Sequence, residues 1–122
     1  MDKIAVSSEG PDLNAQVDPR FGRAAGYVVV DPENMAFDYI DNGTSQVMAQ
    51  GAGIQAAEIV AGSGARVLLT GFVGPKAFQA LTAAGIAIGQ NLDNLTVREA
   101  VQRFQQGDVV MAEAPNSRGH RA

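Results

Sequence analysis

Apolar residues along this chain fall into short runs broken by glycine, proline and small polar residues, and two periodicities succeed one another. "KIAVSS" (3–8) is short, β-branched and closed by polar residues, which predicts a buried strand. Residues 9–23, with Gly10-Pro11 and Asp18-Pro19, read as a long loop. "YVVVD" (27–31) and "MAFDYID" (35–41) are strands separated by Asp31-Pro32-Glu33-Asn34, where proline suits position i+1 of a type I turn. The pair predicts an antiparallel hairpin, with Met35, Phe37 and Tyr39 sharing one face by period 2.

Beyond the Asn42-Gly43 turn and a polar loop, the period lengthens. In "GAGIQAAEIVAG", Ile54, Ala57 and Ala61 recur as one helix face should, and Gly62 and Gly64 end the run. "RVLLT" (66–70) is a fully apolar strand. "GPKAFQALTAAG" predicts a helix with Pro75 at its first position and Gly85 at its stop. "IAIG" (86–89) is a further strand. "TVREAVQRFQQG" is a third helix, with a Thr96/Glu99 capping box, a core stripe of Val97, Val101 and Phe104, and a stop at Gly107. Residues 1–114 read as a single domain and 115–122 as a disordered tail.

Strand, helix, strand, helix over 54–106 requires parallel crossovers, whereas 27–41 requires an antiparallel hairpin. The economical α/β solution is one five-stranded mixed sheet, strand two reversed, with helices on both faces. The loop 9–23 and the segments 42–53, 71–75 and 90–95 then all lie at the carboxyl edge, where open α/β sheets bind ligands. Arg20, Phe21, Arg23, Gly51, Gly53, Gly71, Gly74 and Asn91 gather there, with Gly22 letting the backbone turn between the two arginines. Two helix N-termini, near Gly53 and Pro75, point to the same edge, and their free N–H groups favour an anion. Ala52 and Lys76 stand in those first turns.

Charge and composition narrow the chemistry. The formal net charge of −4 offers no basic stripe for nucleic acid. No apolar run approaches the ~20 residues of a membrane span. "MDKIAVSSEG" lacks the regions of a signal peptide, and the expectation is a cytoplasmic protein. With no cysteine, disulfides, thiolate catalysis and thiolate-ligated metal sites are excluded. The single histidine, His120, lies in the tail, so Ser7 and Ser8 have no partner for a catalytic triad. "GAGIQA" (51–56) matches the G-x-G-x-x-A form of the dinucleotide fingerprint, but no acidic residue stands about 20 positions on, where "TGFVG" falls. There is no P-loop motif. Asp12, Asp18 and Asp41 are scattered loop acids that could meet on a divalent cation, and Met48 is a weak candidate as a soft thioether contact.

"DPRFGRA", "GAGIQAAEIVAGSGARVLLTGFVGPKAFQALTAAGIAI" and the closing helix together resemble, over about residues 3–106, the dinitrogenase iron–molybdenum cofactor family of NifX-like proteins and the matching domain of NifB-type proteins. The resemblance implies a ribonuclease-H-like, three-layer α/β/α fold and a non-enzymatic role in cofactor biosynthesis, binding or carrying metal–sulfur clusters. Where many members of the family carry a histidine before G-A-G, this chain has Gln50. That departure, together with the missing cysteines, directs the expectation away from direct ligation and toward a cluster that brings its own sulfides. The cargo implied is an anionic molybdenum–copper sulfide cluster held non-covalently, or alternatively an iron–molybdenum cofactor precursor. Arg20, Arg23, Lys76 and backbone N–H groups would hold it, with Phe21 and Phe72 excluding water, and a cofactor donor or acceptor protein would be a partner. Two other readings of the same edge stand beside this one: a phosphate- or nucleotide-dependent enzyme, and a protein-interaction module.

Overall fold

In a computed structural model of the chain, residues 2–43 and 51–116 are described. They form β1 (Lys3–Ser8), β2 (Gly26–Val30), β3 (Phe37–Asp41), α1 (Ala52–Gly62), β4 (Ala65–Leu69), α2 (Pro75–Ala83), β5 (Ala87–Gly89) and α3 (Val97–Gln105). The five strands make one sheet in the order β3-β2-β1-β4-β5. β2 runs antiparallel to β1 and β3, while β4 runs parallel to β1 and β5. This is the expected mixed sheet with only strand two reversed. Between the β1 partners Lys3 and Ile4, the β4 register jumps from Ala65 to Val67, so Arg66 is an extra, unpaired residue.

Period 2 divides the strands between two cores, one on each face. Ala5, Tyr27, Val29 and Leu68 pack with Ala56, Ala57 and Val60 of α1 and with Ala77 and Leu81 of α2. Ile4, Val6, Val28, Val30, Val67 and Leu69 pack with Val97, Ala100 and Val101 of α3. The architecture is therefore three layers, α1 and α2 on one face and α3 on the other. The expected stripe on α3 holds, and its capping box is present: the Thr96 side chain accepts from the Glu99 N–H at 3.1 Å and the Glu99 carboxylate accepts from the Thr96 N–H at 2.8 Å.

Two expectations need correction. The buried face of α1 is Ala52, Ala56, Ala57 and Val60, whereas Ile54 is 42% exposed and Ala61 is exposed. Gln55 and Glu58, three residues apart, lie on the same side as Ile54 and Ala61 and mark it as the solvent side, which the apolar spacing of Ile54, Ala57 and Ala61 does not register. Packing against α2 selects the alanines, because a Cβ at Gly53 would already lie 3.0 Å from the Ala77 Cβ. β3 begins at Phe37 rather than Met35, because the turn is longer than a four-residue type I turn. Met35 takes a left-handed φ of 62°, its N–H donates to the Asp31 carbonyl, and the Asp31 N–H donates to that of Ala36. The segment 108–116 returns along β5, where Gly89 bridges Met111, the Ala112 N–H donates to Ile88 O at 2.7 Å, and Asn116 is held by its side chain. Residues 117–122, including His120, lie outside the described residues, as do Met48 and Gln50.

Candidate anion site at the carboxyl edge

The arginine loop is tied down at its entry by polar groups at the end of β1. Asp18 donates its N–H to Ser7 O at 2.9 Å, and its carbonyl accepts from the Ser7 hydroxyl at 2.8 Å. That hydroxyl also lies 2.7 Å from the Thr70 hydroxyl at the end of β4. The Asp18 carboxylate, 3% exposed, accepts from the Arg20 N–H at 3.0 Å and the Ala25 N–H at 3.3 Å, with the Arg20 Nε 3.5 Å away. It closes the loop on itself as an Asx-type turn. Asp12 and Asp41 cap their own turns, at Asn14 N–H and Gly43 N–H. The three carboxylates do not meet, and no group of three metal-ligating residues occurs among the described residues.

From Asp18 the loop crosses to the β4–α2 connection. Phe72 donates to Pro19 O at 2.7 Å and Phe21 donates to Phe72 O at 3.1 Å, a one-bridge parallel ladder that extends the sheet. Gly71 makes this possible, since a Cβ there would sit 2.7 Å from Pro19 O. Gly22 does the same against α1, where a Cβ would fall 2.9 Å from the Gly53 Cα and 3.0 Å from its nitrogen. The loop, the first turn of α1 and the first turn of α2 are thus in mutual contact. Asn91 joins them by donating its N–H to Gly71 O at 2.9 Å, with a left-handed φ of 65°.

Beneath the loop, polar side chains hold its carbonyls inward. The Tyr27 hydroxyl donates to Phe21 O. Asn42, 1% exposed, donates through Nδ2 to Ala24 O at 3.0 Å, to the Tyr27 oxygen at 3.2 Å and to Gly22 O at 3.4 Å. Its Oδ1 is buried and has no hydrogen-bond partner among the described residues. Burial, reinforced by the nearby Asp18 charge, pushes the Tyr27 phenol well above its ordinary pKa, so it remains a donor.

The two helix N-termini at this edge carry glycine N-caps. Gly51 (φ 77°) and Gly74 (φ −79°, ψ 170°) provide no side-chain cap, and neither first turn contains an acidic residue. Pro75 removes one donor from α2 and presets its φ. The edge therefore gathers helix-end N–H groups and positive dipole ends, the 60% exposed Arg20 side chain, and the exposed Lys76. Arg23 is half-buried in the same loop. Phe72, 42% exposed, adds an apolar lip beside them. Such a set of donors fits an anion that carries its own inner ligands, and it offers no thiolate or imidazole to a bare metal ion.

One expected contact is not there. The Phe21 ring is 1% exposed and packs in the core against Tyr27, with ring centroids 5.5 Å apart, so only its backbone belongs to the edge. A phenylalanine between two basic residues reads as a surface feature, but the tight turn at Gly22 sends its ring inward. Tyr27, Asn42 and Asn116 act at this edge and were not singled out from the sequence. Asn42 gave only a turn signal with Gly43, and Asn116 gave none.

Likeness to known proteins shows the family and the fold of the chain. The family model described as dinitrogenase iron–molybdenum cofactor matches residues 2–107, and the chain belongs to that family. Among solved structures it is similar to the apo form of the orange protein from Desulfovibrio gigas, at 65% identity and a TM-score of 0.94, covering 96% of this chain and 98% of that one. It is also similar to a candidate NifB protein from Thermotoga solved by NMR, at 30% identity and a TM-score of 0.77, covering 89% of this chain and 91% of the other. An uncharacterized protein of Methanocaldococcus jannaschii is 27% identical over 108 residues, 86% of each chain.

Proposed function

We propose that this protein binds or carries, without catalysing a reaction, an anionic molybdenum-containing metal–sulfide cluster, held non-covalently at the carboxyl edge of its sheet. The observation that carries the reading is the pair of uncapped helix N-termini, at Gly51 and Gly74, brought against the arginine loop through Gly22 and Gly71. Membership of the iron–molybdenum cofactor family and the likeness to the orange protein support a cluster as the cargo. A molybdenum–copper sulfide is favoured over an iron–molybdenum precursor because the chain has no cysteine, and a cluster complete in sulfide needs no protein ligand.

In this reading Arg20, Arg23 and Lys76 supply positive charge, and the N–H groups at the starts of α1 and α2 donate to the cluster surface. Phe72 covers part of it and lowers the local dielectric, which strengthens each charge contact. The backbone of Phe21–Gly22, Gly51–Ala52–Gly53, Gly71 and Asn91 forms the cradle. A cytoplasmic location and exchange with a cofactor donor or acceptor protein are parts of the same proposal. Among the described residues, no helix is long and apolar enough to cross a membrane.

The test is to mix the apo protein with tetrathiomolybdate and copper, desalt, and record the visible spectrum of the protein fraction. A chromophore that coelutes with protein in fixed ratio is the expected outcome. A colourless protein fraction, or a large thermal shift with a nucleotide instead, would reject the reading.

A further inference from the structure

We propose that Asn116 is a positioning residue for the anion site, a role that rests on the function proposed above. It lies in the segment 108–116, beyond residues 2–107 matched by the family model. Its carboxamide spans two site loops. Oδ1 accepts from the Val73 N–H at 2.8 Å, while Nδ2 donates to Gly71 O at 2.9 Å and to Asn91 Oδ1 at 3.1 Å. Val73 is 1% exposed, so its N–H would be a buried donor without this acceptor.

The consequence falls on Phe72, between the two residues that Asn116 grips. Its own N–H and carbonyl are bonded to Pro19 and Phe21 of the arginine loop. Peptide groups on both sides of Phe72 are thus fixed from the tail, and those of Phe72 itself from the loop. Gly74 and Pro75, which open α2, follow directly. Asn116 therefore sets the direction in which the α2 N-terminus and the exposed Phe72 ring meet the arginine loop, and it ties Asn91 to the same frame. Donors held in place before the ligand arrives lose less freedom on binding.

Asn116→Ala tests this in the full chain, with the tetrathiomolybdate–copper chromophore as probe and amide hydrogen exchange as a readout independent of it. The variant should release the chromophore about 3- to 10-fold faster, as expected for losing one or two ordinary hydrogen bonds. Because Asn116 carries no charge, the salt dependence of release should stay that of the natural chain. Exchange at the Phe72 N–H should accelerate, although its own acceptor, Pro19 O, is untouched. Gln90→Ala, which removes the exposed contact from Gln90 Nε2 to Ala114 O, should leave release within about twofold. Adding Asn91→Ala to Asn116→Ala should give less than the product of the two single effects.

Release at the natural rate from Asn116→Ala would overturn the proposal, as would unchanged exchange at Phe72. If the natural chain itself retains no chromophore, the cluster reading fails first, and exchange at Phe72 alone decides whether Asn116 organises the edge.

Discussion

Three helices start from the same edge of the sheet, but their first turns are finished in two different ways. In α3 the first three N–H groups all have partners. Val97 donates to Ala15 O, Arg98 donates to Leu13 O, and Glu99 donates to the Thr96 hydroxyl, with the Glu99 carboxylate closing the box. In α1 and α2 the N-caps are Gly51 and Gly74, with no side-chain cap and no acid in the first turn. The same backbone problem is solved by a side-chain cap and loop carbonyls at one start, whereas among the described residues the other two have no side-chain cap. The unfinished pair is the one that packs together and meets the arginine loop. Under the function proposed above, the contrast separates a helix start that serves stability from two that serve a ligand.

Four variants would sharpen or break that contrast, taken from the largest expected effect to the smallest. Arg20→Ala with Arg23→Ala should leave the fold intact and weaken cluster retention about 10-fold or more per arginine at low salt, as for charge-assisted hydrogen bonds, with the loss shrinking at high salt as the natural chain's own charge contacts are screened. Retention measured by desalting at two ionic strengths checks this; an unchanged value would make the loop an ordinary charged surface. Gly71→Ala should cost about 1–3 kcal/mol by driving a Cβ into the Pro19 carbonyl, and should also weaken retention by parting the loop from α2. Denaturant titration gives the stability term. Thr96→Ala should cost about 1 kcal/mol through the lost cap and leave retention unchanged, because α3 is not a donor to the site. Gly74→Ser should do the reverse. Its extended backbone suits a serine cap, so the apo protein should gain a few tenths of a kcal/mol while cluster affinity falls, the hydroxyl now occupying an α2 N–H. Paired thermal unfolding and retention measurements on these last two variants give opposite signs if the contrast is real.

The topology was legible because each connection allowed one solution. Asp31–Asn34 is too short for anything but a hairpin, and the helices after 54 force parallel crossovers. The gathering of Arg20, Gly22, Gly53, Gly71 and Asn91 followed from that topology alone. The buried face of α1 was marked only by Gln55 and Glu58, which share the solvent side with Ile54 and Ala61; the apolar spacing of Ile54, Ala57 and Ala61 points elsewhere because alanine, isoleucine and valine recur on every side. Phe21 was misplaced for a related reason: its flanking charges describe neighbours in sequence, whereas the turn at Gly22 decides where the ring goes. Asn42 and Asn116 act through hydrogen bonds to backbone groups distant in sequence, 18 residues away at Ala24 and 45 at Gly71. Such contacts leave no period and no motif.

The central claim is that the open N-termini of α1 and α2 receive the cluster. Its most direct test is an amide-resolved NMR titration of the apo protein with tetrathiomolybdate and copper. The account predicts the largest changes at the N–H groups of Gly53, Ile54, Lys76 and Ala77, together with Gly22 and Phe72, and little change at Val97, Arg98 and Glu99. Equal changes at the capped start of α3, or changes confined to residues away from this edge, would contradict it.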